Sequence, residues 1–280
     1  MISALLLGLS MLLRMELKWI TTFISLGLLF GFLSPVIAAR RLYYLSAAAP
    51  HASLLSITLS IIVTESIGFN NYYLASTLVA ILMMLGVNYL VRSGLDPDVA
   101  TSAFVAGSAT SSVLLLHYVL VNYRPVYSIN ALMLGDPLLV SFQEVLILVV
   151  ILIVTIAVVL TTFRENICVG IDADLVRLSG VKAIFYDLTP YVLIAINAIV
   201  LVKLVGYVLS HVMILLPSLA SMNLSKQARE TLIHSVGLSA VTALAGLLLS
   251  TYLNVSPSGA IGGTLTLIYL ATLVKRRCFV

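Results

Sequence analysis

Charged side chains are scarce in this 280-residue sequence, where they make up only 9% of all residues. A water-soluble domain carries about 25% charged residues, because its surface has to face water. Hydrophobic residues account for 61% of the chain, and its mean hydropathy is +1.15. The composition therefore excludes an ordinary soluble protein and predicts that lipid covers much of the surface.

Cysteine is also rare, and several motifs are missing altogether. Cys168 and Cys278 are the only two cysteines and form no C-x-x-C pattern, which argues against a disulfide framework or a structural zinc site. No Walker A sequence occurs, so the chain itself is not expected to hydrolyse ATP. No nucleic-acid-binding motif or long basic tract occurs, so nucleic acid is not an expected partner.

The chain lacks the residue patterns of intramembrane enzymes and proton pumps as well. Neither the H-E-x-x-H motif of a metalloprotease nor the paired mid-span aspartates of an aspartyl protease is present. Glu65 and Glu144 fall at the predicted span ends, and the middle of each predicted span lacks carboxylates. These absences favour a transporter subunit over an enzyme and weaken the case for proton-driven transport.

What the sequence does contain is a series of apolar runs. A helix that crosses a bilayer requires about 20 mainly apolar residues. The runs predict an all-α, polytopic bundle with eight or nine spans in a single permease domain over residues 1–280. The predicted spans are 18–38, 45–66, 72–91, 98–121, 142–162, 186–203, 206–223, 231–252 and 256–274. Residues 186–223 could instead form one span plus a broken helix, and residues 1–17 are predicted as an interfacial helix, with a cleaved signal as the alternative.

The basic residues divide unevenly when these spans alternate across a membrane. The larger set is Arg40, Arg41, Arg92, Arg164, Arg177, Lys182, Lys226, Arg229, Lys275, Arg276 and Arg277. The smaller set is Arg14, Lys18, Arg124 and Lys203. Because positive charge accumulates on the cytoplasmic side, the larger set and the C-terminus are predicted to be cytoplasmic. The chain is thus expected to be a multi-pass protein of the plasma membrane.

The largest predicted cytoplasmic loop, residues 163–185, contains a short helix signal. Asp172 and Asp174 stand where a helix macrodipole favours negative charge, and Gly180 is suited to end the helix. Two interpretations of this helix stay open. It either docks on a cytoplasmic partner or is an ordinary amphipathic loop helix.

Two histidines are predicted to lie deep in the membrane. His51 is ten residues past Arg41, which corresponds to roughly 15 Å of helix and about half of the hydrocarbon thickness. Pro50 precedes it, and proline loosens a helix by removing one backbone donor. His211 falls in the middle of the seventh predicted span, and Pro217 follows on the same helix.

Neutral imidazole is a good ligand for zinc and similar first-row metals, so this pair could hold a passing ion. The alternative is that each histidine only forms hydrogen bonds between helices. The other two histidines, His117 and His234, fall near predicted span ends.

Four segments of the chain carry a family resemblance. Residues 40–55, RRLYYLSAAAPHASLL, resemble a signature of zinc- and manganese-type permeases of ATP-binding-cassette importers, roughly R-R-M-x-x-x-G-D-x-L-A-H-A-S-L-L. Residues 134–139 resemble the family's F-G-D-x-L segment. Residues 174–181 resemble its cytoplasmic D-x-x-x-x-x-G-V coupling segment, and residues 205–217 its V-G-x-L-x-x-x-L-L-I-x-P helix. The four occur in the family's order.

The resemblance implies a homodimer of permeases that works with two cytoplasmic ATPase subunits and an extracytoplasmic metal-binding protein. The transported substrate would be a divalent metal ion, zinc or manganese, with no permanently bound cofactor. Residues 172–181 would be the coupling helix, with Asp174, Gly180 and Val181 in contact with the ATPase. His51 would be the metal ligand, and His211 a second contributor to the substrate pathway.

One position departs from the family's signature. The signature carries an aspartate four residues before the histidine, where a carboxylate and an imidazole share a helix face. Here that position is Ala47. The departure leaves the identity of the metal open, and a permease for a metal chelate, of siderophore or corrinoid type, is the alternative function.

Overall fold

The computed structural model describes residues 17–68, 71–123, 140–180 and 183–278. All regular secondary structure in these ranges is α-helical, which confirms the predicted all-α fold. The helices are, in chain order, α1 Leu17–Ala39, α2 Tyr43–Ile67, α3 Tyr72–Arg92, α4 Pro97–Asn122, α5 Phe142–Ile171, α6 Ala173–Leu178, α7 Ala183–Val205, α8 Tyr207–Met222, α9 Ala228–Leu253 and α10 Pro257–Cys278. The interfacial helix predicted over residues 1–17 lies outside the described residues except for its last residue.

Seven of the described helices are long and apolar enough to cross a membrane, namely α1, α2, α3, α4, α5, α9 and α10. The apolar parts of α7 and α8, Ile184–Val200 and Leu209–Met222, are shorter. The predicted count of eight or nine spans is therefore not confirmed. The difference lies in the two spans predicted at 186–203 and 206–223. The structure has two helices there, divided at Gly206 with a φ of 85°, but their apolar parts are shorter than a span.

Helix α5 is longer than predicted. Its span was expected to end near residue 162, but the helix continues to Ile171. No proline interrupts residues 163–170, and adding a residue to an existing helix is much easier than starting a new one. The helix therefore runs on past the end of its apolar run and takes up part of the predicted 163–185 loop.

The chain divides into two compact units. In the first, which includes the described residues 17–38, 140–161 and 212–278, close helix contacts depend on small residues. A Cβ atom added at Gly27 would lie 2.7 Å from the Ser239 carbonyl oxygen, so α1 and α9 touch backbone to backbone. Ser34 Oγ on α1 lies 2.8 Å from Ser218 Oγ on α8. Small residues and hydroxyl pairs of this kind hold helices together where lipid removes the hydrophobic driving force.

The second unit includes the described residues 39–68, 71–123, 162–180 and 183–211. Helix α2 is its centre and packs against α3, α4 and α7, while α6 contacts α7. The end of α2 is set by Gly68, whose φ of 73° is the left-handed conformation that stops a helix. Asp96 caps α4 by accepting from the backbone N–H groups of Asp98 and Val99. The single permease domain expected from the sequence stays a prediction.

Candidate functional site

The two predicted membrane histidines lie next to each other in the second unit. His51 is on α2, directly after Pro50, and His211 is in the first turns of α8. The centroids of the two imidazole rings are 5.9 Å apart, and the ring planes are nearly perpendicular, at 83°. Both side chains are partly exposed, so neither is sealed inside the protein.

The break at Gly206 helps to determine where His211 lies. Ser210 donates its hydroxyl to the Gly206 carbonyl oxygen at 2.7 Å, which fastens the first turn of α8 to this junction. A φ of 85° is strained for any residue that has a Cβ atom, so glycine is required here. The direction in which α8 leaves α7, and with it the position of His211, therefore depends on this glycine.

The hydroxyl groups near His51 on α2 are occupied within their own helix. Ser53 donates to the Ala49 carbonyl oxygen, and Ser56 donates to the Ser53 carbonyl oxygen, both at 2.8 Å. Both serines are fully buried. These hydroxyls thus bond to the backbone of α2, while the His51 ring packs in an edge-type arrangement with the ring of His211.

Within the described residues, no group of three or more His, Cys, Asp or Glu side chains is placed to hold a metal ion. The histidine pair thus offers two imidazole ligands from one chain. A structural zinc site usually has four protein ligands and a catalytic one three. A two-ligand arrangement suits an ion that binds briefly and leaves, rather than one that stays.

The short helix predicted after residue 171 is present as α6. Asp172 caps it, because its carboxylate accepts from the Leu175 backbone N–H at 2.9 Å. Gly180, with a φ of 81°, follows its end. Asp174 falls in the first turn, and Val181 lies outside the described residues. Contact of this helix with an ATPase stays a prediction.

Asp187 is the centre of an ionic cluster that the sequence analysis missed. Its Oδ1 atom lies 2.5 Å from Arg40 Nη2, and its Oδ2 atom lies 2.7 Å from Arg92 Nη2. Arg177 Nη2 is 3.6 Å from the same Oδ2 atom. Asp187 is buried, at 8% exposure, and a buried carboxylate requires such compensation by positive charge.

A signal for this cluster existed in the sequence. The three arginines all belong to the set predicted to be cytoplasmic, and Asp187 is a lone acidic residue at the start of an apolar helix on that side. The structure places the three guanidinium groups around one carboxylate, so they lie at one end of this unit, as their common grouping predicts.

A second polar contact follows one turn along α7. The hydroxyls of Tyr191 and Tyr44 are 2.9 Å apart and join α7 to the first turn of α2. The other two histidines lie elsewhere. His117 is exposed on α4, and His234 is exposed near the start of α9, with its Nδ1 atom 2.8 Å from Ser225 Oγ.

Comparisons with known proteins agree with this architecture. The family model of the ABC 3 transport family matches residues 14–276. The high-affinity zinc uptake system membrane protein ZnuB of Buchnera aphidicola is 21% identical over 242 residues, which cover 85% of this chain and 88% of that protein. The manganese transport system membrane protein MntC of Listeria monocytogenes is 20% identical and covers 90% of this chain and 87% of its own. A probable metal transport system membrane protein of Thermotoga maritima is 26% identical, covering 82% and 79%.

A solved structure shares the fold. PsaBC from Streptococcus pneumoniae, in complex with Fab, superposes with a TM-score of 0.81 at 18% sequence identity, over 97% of this chain and 95% of that chain. The family match extends over nearly the whole sequence and includes both histidines, α6 and Asp187. The chain is therefore a multi-pass plasma-membrane protein that belongs to the ABC 3 transport family.

Proposed function

We propose that this chain is the transmembrane permease subunit of an importer that moves a divalent metal ion by alternating access. The observation that carries the proposal is the His51 and His211 pair, with ring centroids 5.9 Å apart. ATP hydrolysis by separate cytoplasmic ATPase subunits drives the cycle, and an extracytoplasmic metal-binding protein delivers the ion. Two copies of the chain form the permease, as the family resemblance implies.

The ring separation suits a shared ion. A zinc ion bound about 2.0–2.1 Å from a ring nitrogen lies about 3.2 Å from that ring's centroid, so two rings on one ion have centroids about 5–6.5 Å apart. The observed 5.9 Å falls in this range. The two imidazoles come from different helices, α2 and α8, so a relative movement of these helices makes or breaks the site. That is the property required of a transient site in alternating access.

The ligand types favour zinc over manganese. Imidazole nitrogen suits zinc and the later first-row metals, whereas manganese prefers carboxylate and other oxygen ligands. The family's signature has an aspartate one turn before the histidine, and this chain has Ala47 at that position. A site of two imidazoles completed by water therefore discriminates against manganese more than an aspartate–histidine site does.

The metal-chelate alternative has less support. The relatives described above carry the names of zinc, manganese and metal transport systems. A chelate already occupies the coordination positions of its metal, so it would gain little from two neighbouring imidazoles. The pair is better explained by a metal ion that exchanges ligands as it passes.

Helix α6 is proposed to dock on the ATPase. It is only six residues long, it is capped at both ends by Asp172 and Gly180, and it packs against α7. Leu175 and Leu178 are 66% and 85% exposed. A short, capped helix with exposed leucines is suited to dock into a groove of a partner protein, and Asp174, Gly180 and Val181 are the residues assigned to this contact.

The experiment is zinc uptake into vesicles that contain the permease and its ATPase. Wild-type permease is expected to accumulate zinc only when ATP is supplied. His51→Ala is expected to reduce the uptake rate about tenfold or more, the usual scale of damage to a metal site. His117→Ala is the matched control, because His117 is exposed on α4. Wild-type vesicles that take up no zinc or manganese with ATP would contradict the proposal.

A further inference from the structure

We propose that Asp187 is a positioning residue for transport, which ties the short helix α6 to the start of α2 and so links movement of α6 to the helix that carries His51. This inference rests on the proposed function, since it requires α6 to be moved by a partner ATPase. Asp187 is not among the residues proposed above to bind the ion or to contact the ATPase.

The contacts of Asp187 join three parts of the unit at one carboxylate. Arg40 lies in the turn between α1 and α2, Arg92 is the last residue of α3, and Arg177 belongs to α6. Their Nη2 atoms lie 2.5, 2.7 and 3.6 Å from the Asp187 oxygens. Because Asp187 is itself near the start of α7, four structural elements meet at this side chain.

The three ion pairs differ in burial and in length, and therefore in strength. The Arg40 and Asp187 side chains are only 9% and 12% exposed, and separating a buried pair would leave an uncompensated charge. The Arg177 side chain is 55% exposed, and its contact is the longest of the three. Exposed ion pairs are weak, so this link changes most readily when α6 moves.

The geometry also makes the links dependent on each other. Arg92 and Arg177 contact the same oxygen atom, Oδ2, while Arg40 has Oδ1. Three guanidinium groups therefore share a carboxylate that has only two oxygens. When Arg177 comes closer or leaves, the electrostatic balance at Oδ2 changes, and the carboxylate reorients relative to Arg92 and Arg40.

A second contact, between Tyr191 and Tyr44, supplements the Asp187–Arg40 ion pair, and we call these two contacts together the clamp. Tyr191 is four residues after Asp187 on α7, Tyr44 is four residues after Arg40, and their hydroxyls are 2.9 Å apart. Asp187 and Tyr191 lie on the same face of α7, because they are four residues apart on one helix. Helix α7 thus holds the α1–α2 turn at Arg40 and the first turn of α2 at Tyr44, which opposes a hinge between that turn and α2. Displacement of the α7 start is therefore passed to α2 as a whole.

The clamp is aligned with the candidate ion site. Tyr44 and His51 are seven residues apart on α2, which is two turns and about 10 Å along the helix axis. Two turns bring a residue back to the same helix face. The proposed route runs from Arg177 through Asp187 and Tyr191 to Tyr44, and along α2 to His51.

The backbone next to Arg40 is also held against the end of α5. A Cβ atom added at Gly170 would clash with the Ala39 carbonyl oxygen and would lie 3.4 Å from the Arg40 Cα atom. Helix α6 begins only three residues after Gly170. The segment that includes α6 thus borders the α1–α2 turn twice, through the backbone at Gly170 and through Arg177 at Asp187.

The test measures zinc transported per ATP hydrolysed in vesicles that contain the permease and its ATPase. Tyr191→Phe removes one hydroxyl and keeps the ring, and Arg177→Ala removes the exposed link. Each is expected to lower the zinc-to-ATP ratio about threefold to tenfold, a typical range for residues on a coupling route. ATP hydrolysis and equilibrium zinc binding are expected to stay near wild type. The control is Arg164→Ala, an exposed arginine on α5.

The double variant, Arg177→Ala with Tyr191→Phe, decides between a route and two separate effects. If both side chains act on one route, the double variant has about the same zinc-to-ATP ratio as the single variant with the larger loss. This holds although the two side chains belong to different contacts. The role of Asp187 would be overturned if both single variants had the same zinc-to-ATP ratio as Arg164→Ala. It would also be overturned if the loss in the double variant equalled the product of the two single losses. Asp187→Asn leaves three arginines without their carboxylate and is expected to fold poorly, so the conservative variants carry the test. Absence of ATP-driven metal uptake in the wild type would instead overturn the proposed function.

Discussion

Replacing His51 and His211 by alanine, singly and together, tests whether the two imidazoles act on the same ion. The rings are 5.9 Å apart and come from two different helices, so they form one site only when α2 and α8 are arranged as they are here. Each single replacement removes one of the two nitrogen ligands. The expected loss in the zinc uptake rate is about tenfold or more for each, the scale seen when a metal site is perturbed.

The double variant distinguishes a shared ion from two independent roles. If the histidines act separately, the losses multiply to about 100-fold, because effects of independent sites add as free energies. If both histidines hold one ion, the second replacement lowers the zinc uptake rate little further, because the site is already lost when only one imidazole and water remain. The loss in the double variant is then close to the larger single loss. The gap of about tenfold corresponds to roughly 1.4 kcal/mol of interaction between the two side chains.

The assay is the initial rate of ATP-dependent uptake of radioactive zinc into vesicles with the partner ATPase. His117→Ala is measured in parallel, and the melting temperature of each variant shows whether it is folded. Normal uptake in either single variant would refute the reasoning, since one ring would then be dispensable. A double variant with a 100-fold loss would show that the two histidines act at different places.

Three further outcomes follow from the same account. Ala47→Asp restores the carboxylate of the family signature and is expected to raise uptake of manganese relative to zinc, measured by competition between the two ions; an unchanged preference would show that position 47 does not reach the ion. Gly180→Pro is expected to uncouple ATP hydrolysis from uptake while equilibrium zinc binding persists, and full coupling in this variant would remove α6 from the ATPase contact. Gly31→Ala adds a Cβ atom 2.5 Å from the Val236 Cα atom of α9. This overpacking is expected to destabilise the protein by about 1–3 kcal/mol, which is measured as a lower melting temperature. The control is Gly86→Ala, which has open space around it and is expected to change the melting temperature little.

Features that depend on neighbouring residues were predictable from the sequence. The helices follow from apolar runs, and α6 follows from local capping, with Asp172 before it and Gly180 after it. The number of long spans is not confirmed, because the two spans predicted at 186–203 and 206–223 form helices with shorter apolar parts on either side of Gly206. Helix α5 continues beyond the predicted span end at residue 162, because a helix stops where its backbone hydrogen bonds stop, and hydropathy does not measure this.

Features that depend on distant residues were harder to predict. Arg40 and Asp187 are separated by 147 positions in the chain, and only the packing of α2, α3 and α7 brings their ends together. The depth of His51 could be estimated by counting residues along one helix, but its partner ring could not be positioned without the direction in which α8 leaves Gly206. The sequence thus identified both histidines as candidates, and the structure supplied their separation.

X-ray absorption at the zinc edge on the zinc-loaded permease tests the central claim most directly, because it reports the atoms around the ion. The account predicts imidazole nitrogens about 2.0–2.1 Å from zinc, with oxygen ligands from water completing the site. The imidazole signal is expected to decrease in His211→Ala and to be lost in the double variant with His51→Ala. A spectrum without imidazole scattering, or one that the double replacement leaves unchanged, would contradict the claim that these two histidines hold the transported ion.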